Sequence, residues 1–154
     1  MKQFLLLLLI CCCMQYSSQA QSEKKDNPTY KTAIGFRFSP FGVSFKTNSS
    51  YRKRSFEIIG YFKDGFTASA LYYWNFTLNH PGNIKLYAGG GGQIGFRNEN
   101  VGGGAVLGAG GVLGADYKFL HLPINISLDW QPSFQFGKSN DFKGYGGIAA
   151  RFTL

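Results

Sequence analysis

Two histidines, His80 and His121, are the natural general bases of this chain of 154 residues. A hydrolase or acyl transferase would set one of them beside a serine nucleophile and a carboxylate that orients it. His80 precedes Pro81 in a turn-rich stretch and His121 stands just before Pro123 in another. The alternating pattern of the chain places no serine and carboxylate beside either, so both read as turn residues and no catalytic residue is assigned. Metal binding needs a denser grouping of His, Cys and carboxylates than this, so no metal site and no cofactor are expected. Cys11, Cys12 and Cys13 all lie in one N-terminal apolar run, so removing that run leaves no disulfide and no thiolate. Glycine is concentrated, with 12 of its 21 occurrences between Gly89 and Gly114. A phosphate-binding loop would need a Lys-Ser/Thr pair and a helix after the glycines, and neither follows. Close approach of neighbouring strands, or room for bulky partners such as Tyr61, Tyr73 and Tyr87, accounts for them better.

The charged residues make a more informative set. Arg37, Lys46, Lys85, Arg97, Lys118 and Arg151, with Glu57, Asp116 and Asp129, all fall on the polar side of segments that alternate with period two. Such a set suits an enclosed interior, where ions pair and hydrogen-bond. The carboxylates of Glu57, Asp116 and Asp129 are read as partners for Arg37, Arg97 and Arg151, with the pairing left open. The network expected in a polar lumen is therefore Arg37, Lys46, Glu57, Lys85, Arg97, Asp116, Asp129 and Arg151.

Eight alternating segments must position these residues: 32–38, 41–47, 54–62, 66–78, 84–97, 104–118, 122–136 and 144–154. The cleanest is 66–78, where Phe66, Ala68, Ala70, Tyr72, Trp74, Phe76 and Leu78 oppose Thr67, Ser69, Leu71, Tyr73, Asn75 and Thr77. Turn residues separate the segments, among them Ser39-Pro40, Asp64-Gly65 and His80-Pro81-Gly82-Asn83. Connections this short require antiparallel neighbours. The expected fold is all-β, an eight-stranded antiparallel up-and-down transmembrane β-barrel. Helical bundles, disorder and collagen are set aside by 17% aromatic content, 16% charged content and glycines without a three-residue period.

Alternation alone does not say which face is inside. A lipocalin-like soluble barrel turns its apolar face inward, and a membrane barrel turns it outward. Several segments reach the ~10 residues that a tilted strand needs to cross hydrocarbon. The apolar face carries small residues (Ala68, Ala70, Ala88, Ala105, Ala109) that would leave voids in a soluble core but that lipid tolerates. Both points favour the membrane form.

Residues 1–20 read as a signal peptide: Lys2 is followed by the apolar run Phe4 to Met14, too short for a spanning helix, and a cut after Ala20 has small residues at −3 and −1. Residues 21–31 read as a flexible periplasmic leader and 32–154 as the barrel domain. The mature chain loses Lys2, which leaves 15 basic residues against 8 acids and a net charge of +7. Its bases are scattered, the tight Arg52-Lys53-Arg54 cluster reads as a solvated turn, and no nucleic-acid partner is expected.

The segments Leu122-Pro123-Ile124-Asn125-Ile126-Ser127-Leu128-Asp129-Trp130-Gln131-Pro132 and Tyr145-Gly146-Gly147-Ile148-Ala149-Ala150-Arg151-Phe152-Thr153-Leu154 carry a resemblance. Over nearly all of its mature length the chain resembles the small outer-membrane β-barrel proteins of the OmpA/OmpX type, its Bacteroidetes members above all. The resemblance implies an eight-stranded barrel of a Gram-negative outer membrane, both termini in the periplasm, and no single activity. It implies that Phe152 and Leu154 serve as the signal read by the outer-membrane assembly machinery, although the family usually ends on an aromatic residue. Outer-membrane lipid and that machinery are the expected partners; no small-molecule ligand is indicated. The expected function is a non-enzymatic barrel with a structural or interaction role. The alternatives are a narrow, porin-like pore or transporter of small hydrophobic molecules, a soluble binding barrel, or a lipid A-modifying enzyme. A lumen crowded with Arg, Lys and Tyr argues against conduction. The short connections 39–40, 63–65, 98–103 and 138–143, at the presumed outer end, weigh against an adhesin.

Overall fold

The computed structural model describes residues 30–49, 53–77, 84–101, 103–119, 121–136 and 141–154. The expected signal peptide, most of the leader, His80 and Leu78 lie outside them. Eight strands form one closed barrel: β1 (Thr32–Phe38), β2 (Gly42–Ser49), β3 (Arg54–Tyr61), β4 (Gly65–Thr77), β5 (Ile84–Arg97), β6 (Gly104–Lys118), β7 (Ile124–Phe136) and β8 (Asp141–Thr153). Each pairs antiparallel with its sequence neighbours, and β1 closes on β8 through Ala33↔Thr153 to Phe38↔Ile148. Closure leaves no open sheet edge. A single turn of 3₁₀ helix, Glu99–Val101, is the one departure from strand and turn among the described residues.

Bounds differ from the sequence expectation by a few residues, for local reasons. β7 begins at Ile124 rather than 122, because Pro123 has no N–H to give the ladder. β8 begins at Asp141 rather than 144, because Gln135↔Asp141 and Phe134↔Phe142 still pair. Tyr30 and Lys31, expected in the flexible leader, are part of the packed structure: Tyr30 is buried, and the amides of Lys31 and Thr32 both donate to the Leu154 carbonyl.

The two faces of the wall are opposite in character. Ile94, Phe96, Leu107, Leu113, Leu128, Trp130 and Ile148 all point outward, each more than half exposed. Arg37, Lys46, Glu57, Asn125 and Arg151 point inward with at most 2% exposure. A water-soluble barrel does the reverse, so the outside of this barrel is built for hydrocarbon. Near the end away from the termini, outward phenylalanines adjoin one another, Phe36–Phe41 at 6.4 Å, Phe41–Phe62 at 6.5 Å and Phe62–Phe66 at 5.7 Å. Near the terminal end the girdle has polar tips, in Tyr72–Trp74 at 5.5 Å and Tyr117–Phe119 at 4.9 Å. Aromatic rings at both rims are what an interface with lipid headgroups favours.

Glycines on the inward faces let the wall close tightly. A Cβ at Gly91 would lie 1.9 Å from the Ala70 carbonyl oxygen, and one at Gly114 would lie 2.6 Å from the Tyr87 ring. The glycine-rich β5 and β6 are therefore a packing device, where side chains are left out so that β4 and the lumen tyrosines fit.

Candidate functional site in the lumen

Among the described residues, three ion pairs fill the lumen from the terminal end toward its middle. Nearest the termini, Lys46 Nζ donates to Asp116 Oδ2 at 2.8 Å. The same carboxylate accepts from the Tyr30 hydroxyl at 2.9 Å and from Asn125 Nδ2 at 2.5 Å. The Lys46 ammonium also lies over the rings of Tyr73 at 5.3 Å and Tyr87 at 5.2 Å, which stack at 4.7 Å. Burial pushes the Tyr30 hydroxyl above the usual phenol range, so it stays a donor.

Arg151, on β8, is the hub. Its Nη2 donates to Glu57 Oε1 at 2.5 Å, its Nε to Ser44 at 2.7 Å, and its Nη1 to Ser127 at 2.7 Å. Glu57 Oε2 takes the Tyr73 hydroxyl at 2.8 Å. Four strands thus meet at one guanidinium. The third pair is bidentate: Arg37 Nη1 donates to Asp129 Oδ2 at 2.8 Å, and Nη2 to Oδ1. Tyr87 donates to the same Oδ2 at 2.8 Å. Gly147 makes room for this pair, since a Cβ there would sit 2.6 Å from Arg37 Nη2.

These contacts settle which of the sequence-expected groups meet. Arg37, Lys46, Glu57, Asp116, Asp129 and Arg151 converge as three neutral pairs. Lys85 is half-buried and sits across the ladder from Asp116. Arg97 does not take one of the three carboxylates; its Nη2 donates to Gln135 Oε1. It stands at the far end of β5, beside Gly65 and Gly104, well above those acids, and Lys46 holds Asp116 instead. Lys118 turns to backbone, donating to the carbonyls of Phe119 at 2.9 Å and Leu122 at 2.6 Å. Phe152 and Leu154 point outward at the end of β8. Tyr30 was not foreseen, because it precedes the alternating pattern. Ser44, Asn125 and Ser127 were legible as polar-face residues, but nothing in their spacing marks them as Arg151 ligands.

The carboxylates of the network are saturated, whereas Arg37 Nε is buried without a hydrogen-bond partner among the described residues. Both oxygens of Glu57, Asp116 and Asp129 accept from named donors, which leaves none aimed at a substrate proton. His121 is exposed in the turn before β7, away from these groups. Among the described residues no cluster of His, Cys, Asp or Glu could hold a metal ion.

Above the pairs the lumen is closed by Tyr61, whose hydroxyl donates to Gln131 Oε1 at 2.7 Å. Beyond that bond lies a chamber with about 60 Å³ open to the centres of water molecules, lined by residues that include Lys63, Arg97, Lys143 and Tyr145.

No family model matches the chain, and no curated protein matches it. Among solved structures it is similar to the crystal structure of Neisserial surface protein A, with a TM-score of 0.48 and 14% identity, over 80% of this chain and 93% of that one. The registers given above, and not this likeness, define the barrel.

Proposed function

We propose that the chain is a non-enzymatic integral β-barrel protein of the bacterial outer membrane, exported by residues 1–20, with a structural or interaction role. One observation carries the reading: a continuous apolar outer wall encloses a lumen plugged by three buried ion pairs. An outer wall of this kind is stable only against lipid, and a closed barrel is one of the two backbone forms that can cross it. The plug fills the aqueous path that a pore needs, and among the described residues the saturated carboxylates leave no acid–base pair for lipid A chemistry. Phe152 and Leu154, outward on the last strand, are accessible to an assembly machinery during biogenesis.

The test is the mobility of the protein extracted from washed outer membranes, run on a gel with and without boiling. The membrane fraction should hold it, and the unboiled form should migrate apart from the boiled one. Recovery in the soluble periplasmic fraction with no shift would overturn the proposal.

A further inference from the structure

The chamber at the far end differs from the rest of the lumen in how its polar groups are bonded. Below the Tyr61–Gln131 bond, Arg37, Lys46 and Arg151 each bond to a carboxylate, and Lys85 lies across the ladder from Asp116. Above it, Lys63, Arg97 and Lys143 line the chamber with Asp64, and the register sets Asp141 across the ladder from Gln135. Gln135 supplies the acceptor for Arg97, a neutral amide in place of an acid. Two amide nitrogens at this level, Gln93 Nε2 and Gln131 Nε2, are buried without a hydrogen-bond partner among the described residues. Gln131 is 8% exposed, and its Oε1 is already engaged by Tyr61, so the free end of the buried amide is a donor. A buried donor left unpaired loses its hydration without return, a loss that a bound acceptor would recover. Gly91 and Gly110 are among its lining residues and bring no side chain to the inner face of β5 and β6.

Cations beside unpaired N–H donors are the chemistry that receives an oxyanion. From these features we propose that the far-end chamber binds a small oxyanion, a phosphate group first of all, with Arg97 and Lys143 supplying charge and Gln131 a buried donor. The volume admits roughly four to six water-sized groups at 10–15 Å³ each, about the size of one phosphate without its hydration shell. The ladders close the side wall, so the solute enters along the barrel axis from the far end. The inference goes beyond the membrane assignment and rests only on the lumen, so a barrel that failed the boiling test would still have to bind or not bind.

The test is calorimetric titration of the full mature chain, folded in neutral detergent, with inorganic phosphate at constant ionic strength. The wild type should give a saturable heat, and an uncharged hexose should give none. Replacing Arg97 and Lys143 together by Gln should weaken phosphate at least tenfold. Replacing Lys31 and Lys53 by Gln removes the same charge at the terminal end and should change affinity less than twofold. Q131L, which leaves net charge unchanged, should weaken phosphate severalfold and keeps the test decisive if the double variant does not fold. Absence of a saturable heat in the wild type, or equal losses in the terminal-end control, would overturn the site.

Discussion

Arg151 shows how a charge is kept inside a barrel only as wide as its own side chains. It is 2% exposed and hydrogen-bonds to Ser44, Ser127 and Glu57. Removing one partner of a buried ion pair costs about 3–5 kcal/mol, since the other is left unpaired, whereas replacing both by apolar groups is often neutral. R151M should therefore lower the barrel's stability by about that amount in urea titrations followed by circular dichroism. The double replacement of Arg151 and Glu57 by Met should recover most of the loss. Equal destabilisation in single and double variants would mean that the pair is not the unit described. At Gly147 the argument is steric. Gly147→Ala places a methyl 2.6 Å from Arg37 Nη2 and must push the guanidinium off Asp129. A cost of about 1–3 kcal/mol, the usual range for overpacking, is expected in the same titration. The period-two pattern put Arg37, Lys46, Glu57, Asp116, Asp129 and Arg151 on one face, but partner choice depends on strand tilt and stagger, which no single strand encodes. That is why the expected carboxylate partner of Arg97 was wrong and why Tyr30, outside any alternating run, was missed.

At the scale of the strands the wall is uneven. β4 to β8 have 13–15 residues, whereas β1 to β3 have 7 or 8. Seven residues at about 3.3 Å each, tilted by about 40°, cover only ~18 Å of the ~25 Å apolar band usual for such barrels. Lipid on that side must thin, so the chain should fold faster and to higher yield into bilayers with 10- to 12-carbon acyl chains than into 18-carbon ones, measured by the gel shift over time. No preference would mean that the short strands do not face lipid. Leu128 tests the longer side. It is 60% exposed in the middle of β7, and Leu128→Arg should cost about 2–4 kcal/mol near the bilayer midplane. On a water-facing surface the same change should have almost no effect. The existence and order of all eight strands were readable because each has a long alternating run. Their ends were less so: Pro123, without an N–H, marks the start of β7 in the sequence itself, but the Gln135↔Asp141 pair that starts β8 is a matter of a partner's hydrogen bonds and not of local pattern.

Across the whole molecule, the inverted faces and the neutral plug belong to one design. Apolar groups are spent on the outside, so the interior must cohere through ions and hydrogen bonds, and a lumen bonded in that way is closed to flow. Planar bilayers containing the folded protein should show no discrete conductance steps, while R37M and R151M, combined, should introduce leak. The orientation of the faces is the claim on which the rest depends, and the chain carries its own reporters for it. Its two tryptophans, Trp74 and Trp130, point outward and are 47% and 52% exposed. The most direct measurement is their fluorescence in reconstituted bilayers, quenched either by lipids brominated on the acyl chain or by aqueous iodide. Strong quenching by brominated chains with little effect of iodide is the expected result. Iodide quenching of both residues, with brominated lipid inert, would contradict a barrel that faces hydrocarbon.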